Sequence, residues 1–110
     1  MKKGLTVREV RSGKYVTDRC FLNEKGNIEG IYETYSNGLP FLFIEYKDGV
    51  ADGVIAKYNR GLLQEILHKD RYGRMQGIHE VYNSDGSVVF SHKYLDGIRV
   101  EEYIPSEDKL

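Results

Sequence analysis

The sequence predicts an all-β protein: an antiparallel meander of tandem β-hairpin repeats forming an elongated twisted sheet. Three observations carry this reading. Glycine opens successive segments at Gly30, Gly53 and Gly77, in steps of 23 and 24 residues. Asn-Gly and Asp-Gly pairs, the strongest short-range hairpin signal, fall between runs of alternating apolar and polar residues. The chain carries 9 Tyr, 4 Phe and 12 Gly but only 2 Pro and no Trp, a usage that favours strands and tight turns. A small closed barrel is the alternative arrangement of the same hairpins.

The length of 110 residues fits one domain, 1–110. Residues 30–52, 53–76 and 77–100 read as three repeats. Residues 1–29 read as a degenerate N-terminal unit, with Gly13 in its turn and Tyr15-Val16 in a strand. Residues 101–110 read as a partial unit and a polar tail. Atypical end units are what a stack of repeats needs as caps. Within each repeat a tyrosine stands five residues after the opening glycine: Tyr35, Tyr58 and Tyr82. A turn glycine follows at Gly38, Gly61 and Gly86. A second closes the unit at Gly49, Gly73 and Gly97.

Each repeat then reads as a short strand, a turn, a longer strand and a turn. The short strands are 31–35, 54–58 and 78–82. Period-two alternation puts Ile31, Glu33 and Tyr35 on one side, with Val54, Ala56, Tyr58 and Ile78, Glu80, Tyr82 as equivalents. In the long strands, counting back from the closing glycine aligns Leu42, Ile66 and Phe90 as one apolar position. The same count aligns Glu45, Lys69 and Lys93 as a charged one. One face is therefore expected to be apolar and the other wetted. Phe41 and Phe43 break this pattern, because they fall on the side that carries Glu45.

Composition narrows the function classes. Lys+Arg total 16 and Asp+Glu 17, a net charge of -1, so the basic excess of a phosphate-binding surface is missing and nucleic acid is not the expected partner. The single cysteine, Cys20, forms no internal disulfide and reads as a small buried hydrophobe. The start MKKGLTVREV has no apolar run behind its lysines, and the most apolar stretch, 39–44, is too short to cross a bilayer. A cytoplasmic location is expected, with membrane association disfavoured.

Chemistry-bearing residues give little. His68 and His92 both stand five residues before a closing glycine, which would set them near each other across neighbouring units. The first repeat has Ile44 there, so a half-buried edge position is the preferred reading. Zinc spacing and the G-K-[ST] ending of a phosphate loop are absent. Lys69, Arg71 and Arg74 surround Asp70, which neutralises them in part. Glu33/Glu80 and Asp48/Asp96 recur by repeat and read as solvated-face and turn acids. No catalytic residue, metal site or cofactor is expected.

The pattern G-x-x-x-x-Y, then N/D-G, then a hydrophobic strand, then Y-x-D-G, resembles the MORN-repeat variant found in YwqK-type antitoxin proteins. It is carried by Gly30/Tyr35/Gly38/Tyr46/Gly49, Gly53/Tyr58/Gly61/Gly73 and Gly77/Tyr82/Gly86/Tyr94/Gly97. Asp70 departs from it where tyrosine is expected, and Glu101 where glycine is. The resemblance implies a non-enzymatic protein-binding module, an antitoxin or inhibitor that occludes a toxin or enzyme partner. The broader MORN class implies a structural or membrane-surface scaffold that self-associates into homo-oligomers. It transfers no catalytic residue. Tyr32, Phe41, Phe43 and Tyr72 are the candidate protein-binding residues, because a single-layer sheet leaves aromatic side chains open and such residues concentrate where partners dock.

Overall fold

A computed structural model describes residues 4–100, and these form one open sheet. The strands are β1 Thr6–Ser12, β2 Tyr15–Leu22, β3 Gly30–Ser36, β4 Leu39–Lys47 and β5 Val50–Asn59. They continue as β6 Leu62–Lys69, β7 Gly77–Tyr82, β8 Val88–Leu95 and β9 Ile98–Val100. Every strand pairs antiparallel with its neighbours in chain order, and among the described residues β1 and β9 do not meet. The meander is therefore open, and the barrel alternative is excluded. A compact 100-residue domain has a radius of gyration of about 13 Å. Here it is 17.0 Å, with extents of 55 × 31 × 25 Å, so the sheet is elongated as expected. The partial unit expected at 101–110 lies outside the described residues.

The hairpin chemistry explains the meander. At Asn37-Gly38, Asp48-Gly49, Arg60-Gly61 and Asp96-Gly97 both turn residues have positive φ, from 50° to 54° at the first and 81° to 86° at the second. That is the type I′ geometry, whose twist matches the flanking strands. Asparagine and aspartate tolerate the first position and glycine the second, so sequence chemistry and turn agree. Arg60 holds the first position without that local support.

Three other connections differ in kind. At 23–27, 70–74 and 83–87 a five-residue loop opens with Asn or Asp and places glycine fourth. Gly26, Gly73 and Gly86 each donate to the carbonyl of the loop's first residue at 2.9–3.0 Å. The first side chain also caps the loop: Asn23 Oδ1 accepts from the amides of Lys25 and Asn27, and Asp70 Oδ1 from those of Tyr72 and Arg74. Gly49 therefore closes a two-residue turn, whereas its sequence equivalent Gly73 lies within a five-residue loop. The spatial repeat is two sequence units long, with Asn23/Asp70, Gly26/Gly73, Glu29/Gln76 and Gly30/Gly77 as equivalents.

This difference corrects the expected apolar row. Facing residues run Arg19, Glu33, Phe43, Ala56, Ile66, Glu80 and Ser91 along the first face of the sheet. They run Asp18, Thr34, Leu42, Lys57, Glu65, Val81 and Phe90 along the second. Leu42 and Phe90 share a face, but Ile66 stands on the opposite one. Counting from the closing glycine fails for β6 because its loop is of a different length, and side chains alternate with a period of two. The expected grouping of Ile31, Glu33 and Tyr35 holds: the Tyr35 hydroxyl donates to Glu33 at 2.7 Å. The expected strand 54–58 is longer than predicted. It starts at Val50 and passes through a bulge, where Gly53 has φ 133° and Val54 donates its amide to Glu45 Oε1 at 3.1 Å.

Each hairpin of the β1/β2, β3/β4, β5/β6 and β7/β8 series carries one further bulge near its tip, on the second strand, at Thr17, Phe41, Gln64 and Val89. The core is thin. Only Cys20, Ala56 and Leu67 are buried among the described residues, Ala56 on the first face and the other two on the second. Among the described residues no second layer covers either side of the sheet, so their stability comes from cross-strand pairs along both faces.

Candidate functional site

The sheet has two ends as well as two faces. At one end lie the tips at 13–14, 37–38, 60–61 and 83–87. At the other lie the loops 23–27 and 70–74 with the turns 48–49 and 96–97. Here two equivalent latches form. The amide of Gly49 donates to Ile28 O, and that of Gly97 to Met75 O, both at 2.8 Å. The Asp48 amide donates to Glu29 Oε1 at 2.8 Å, and the Asp96 amide to Gln76 Oε1 at 3.0 Å. The Asp48 carboxylate accepts from Asn23, Asn27 and Lys25 at 2.7–3.0 Å. These donors hold its carboxyl down to about 2, Asn27 contributing most, then Asn23 and Lys25. Hydrogen bonds from Gln76 and then Arg74 likewise hold the Asp70 carboxyl well below the usual carboxylate range. Arg74 bridges Asp70 and Asp96, so the expected neutralisation of this basic cluster takes a specific geometric form.

The four candidate docking residues do not form one patch. Tyr32 is half-buried on the second face, 6.0 Å from the Tyr46 ring, and its hydroxyl donates to Asp18 Oδ2 at 2.7 Å. That bond, followed by burial, raises its pKa. Phe43 lies on the first face, half-buried between Tyr35 and Tyr58, with ring centroids 5.7 and 5.1 Å away. Phe41 is 55% exposed at the β4 bulge by the tips. Tyr72 is 75% exposed in the loop 70–74 at the far end, with the Arg74 guanidinium 5.4 Å from its ring. Phe41 and Tyr72 stand in the open; Tyr32 and Phe43 serve the sheet's own packing.

His68 and His92 do not meet. His68 faces Val54 on the first face, with Nδ1 3.4 Å from Ile78 O. His92 faces His79 on the second and stacks on Phe90 at 4.5 Å. The histidine that finds a carboxylate is His79, whose Nε2 lies 2.6 Å from Glu65 Oε2. Lys57 approaches the other oxygen of Glu65 at 3.6 Å, and Phe90 stands edge-on to His79 at 5.2 Å. His79 and Glu65 lie on non-adjacent repeat positions, so no spacing rule marks the pair in the sequence. Among the described residues no group of three or more His, Cys, Asp or Glu is placed to hold a metal ion.

At the tip end the repeat tyrosines occupy a position that sequence reasoning assigned to hairpin construction alone. Tyr35, Tyr58 and Tyr82 each line a groove between one hairpin tip and the next. Two of them are held by carboxylates, Tyr35 by Glu33 and Tyr82 by Glu80, at 2.7 and 2.6 Å. Burial and then the Glu33 bond push the Tyr35 pKa up to about 12. The Glu80 bond raises that of Tyr82. The recurrence of Tyr with a following turn glycine was visible in the sequence; the groove it lines was not. Cys20 is 1% exposed and unpaired, as its reading as a small core residue predicts. No helix among the described residues is long and apolar enough to cross a membrane.

Compared with protein-family models, curated proteins and solved structures, the chain matches none of them.

Proposed function

We propose that this chain is a non-enzymatic, cytoplasmic protein-binding repeat module, which acts by occluding a partner protein in the manner of an antitoxin or inhibitor. The observation that carries the reading is the single-layer sheet. Among the described residues it presents aromatic and apolar side chains that no second layer covers, on faces whose 55 × 31 Å extents exceed the roughly 800 Å² per partner of a standard interface. Tyr-rich surfaces of this kind supply large contact area at low entropic cost. The expectation drawn from the MORN-variant resemblance points the same way. The test is affinity capture of the tagged chain from its native lysate, with mass spectrometry and light scattering on the eluate. A stoichiometric enzyme or toxin partner is the expected result. A chain recovered alone under several growth conditions overturns the reading.

A second reading, a self-associating scaffold, is favoured by β1. Its seven residues are exposed throughout and its outer edge is unpaired among the described residues, the arrangement from which sheets extend. Its charges, Arg8, Glu9 and Arg11, are of the kind that blunt an edge, so the module reading is preferred. A defined oligomer in light scattering, in place of a partner, would decide for the scaffold.

A further inference from the structure

We propose that the tip end of the sheet is a docking site for a proline-rich segment of a partner protein in the polyproline II conformation, with every third residue seated in a successive groove. The inference deepens the protein-binding reading and rests on it.

Three equivalent grooves lie between the four tips, of about 400, 290 and 370 Å³. One wall of each is built from the two residues after a turn: Tyr15-Val16, Leu39-Pro40 and Leu62-Leu63. The other wall is the repeat tyrosine of the next unit, and the next turn glycine closes the groove. The glycine matters at Gly38, where a Cβ would stand 2.7 Å from the Tyr15 ring and close the first groove. The wall residues are open to solvent: Leu39 is 48% exposed and Leu62 55%. The tyrosine hydroxyls held by Glu33 and Glu80 fix two of the rings before any ligand arrives.

Spacing selects the occupant. Successive tips are two strands apart, about 9.5 Å. A polyproline II helix returns to the same side every three residues, about 9.3 Å along its axis. A β-strand does not fit, since residues three apart point to opposite sides. An α-helix laid across the tips fits less well: the residues that return to one side are seven apart, about 10.5 Å, which overshoots each successive groove by about 1 Å. Aromatic-walled grooves are also the usual receptor for this preformed, low-entropy conformation. Charge gives the segment a direction. Lys14, which forms no ion pair among the described residues, stands at the first groove, Arg60, likewise without one, on the tip between the second and third, and Asp85 at the far side of the third. The segment therefore carries carboxylates at the end lying over Lys14 and none at the end lying over Asp85.

The test is selection from a library of peptides about twelve residues long that carry P-x-x-P-x-x-P with the x positions varied. The full chain is the bait and fluorescence polarisation the readout. Expected are binders with Asp or Glu concentrated at one end. Their affinity should fall at least about tenfold with Leu39→Asp or Leu62→Asp and stay unchanged with Lys57→Ala on the second face. Should the leucine variants fail to fold, Lys14→Glu, in an exposed turn, should reverse the charge preference at the acidic end. Binders insensitive to all three tip variants would overturn the docking site and leave the protein-binding reading standing. So would a library with no binder, if capture from lysate still returns a partner. Self-association abolished by the same variants would assign the grooves to a second copy of the chain and overturn the proposal.

Discussion

Asn23 and Asp48 are 25 residues apart in the chain, yet the Asn23 side-chain amide donates to the Asp48 carboxylate at 2.7 Å. This bond ties the loop between β2 and β3 to the turn between β4 and β5, across a hairpin. The equivalent latch ties 70–76 to Asp96. Strands alone would hold neighbours together; the latches tie the connections at this end in two pairs, 23–29 with 48–49 and 70–76 with 96–97, and so brace each half of the sheet.

The latches predict a fold that weakens in acid. Asp48 has its carboxyl lowered from the usual 3.8 to about 2, and that of Asp70 is also lowered. A depressed folded-state value means the charged form is preferred in the fold. The stabilisation is present above the unfolded value near 4 and is lost as pH falls through the folded value. Melting temperature should therefore drop between about pH 4 and pH 2, and Asp48→Asn should flatten part of that slope while lowering stability at neutral pH. An unchanged slope in the variant would show that the latch is not ionic.

Gly53 and Gly26 separate two costs of replacing glycine. Gly26 has φ 85° with open space around its missing Cβ, so Gly26→Ala should cost about 1 kcal/mol from backbone strain alone. At Gly53 a Cβ would also collide with the Glu45 carboxylate, which accepts the Val54 amide. Gly53→Ala should cost about 2–3 kcal/mol. Denaturant unfolding of both variants measures the difference.

Tyr35 predicts an alkaline limit. Its value is pushed up to about 12 from the usual 10.0, so the fold favours the neutral phenol. That stabilisation is complete below pH 10 and is lost as pH rises towards 12. Tyr35→Phe should lessen the fall in stability over that range. Ultraviolet titration of the native protein should show a late-ionising tyrosine that the variant lacks.

Cys20 should be inert in the native protein. At 1% exposure its thiol is shielded, and reaction with a thiol reagent should follow the unfolding equilibrium. Rapid labelling under native conditions would show that β2 opens locally. Leu67→Ala should cost about 2–3 kcal/mol, the low end for a buried leucine, because a one-layer sheet relaxes around the gap. Thermal unfolding checks the value.

The amino-acid sequence by itself determined the all-β class, the meander of hairpins and the Asn-Gly and Asp-Gly turns, whereas the structure decided that the sheet stays open and does not close into a barrel. The former features are local: Asn37-Gly38 or Asp48-Gly49 specifies a hairpin from two residues, and alternation assigns Ile31, Glu33 and Tyr35 to one side. It also showed the recurrence of Tyr35, Tyr58 and Tyr82. Only the tertiary structure decided which residues meet. A two-residue turn at Gly49 and a five-residue loop around Gly73 look alike as glycines in a repeat, but they shift the count along β6. Because side chains alternate every residue, that shift put Ile66 opposite to Leu42 and Phe90 and parted His68 from His92. The same long-range pairing joined His79 to Glu65 and Asn23 to Asp48. It also set the tips side by side, so that four separate turns enclose three tyrosine-walled grooves.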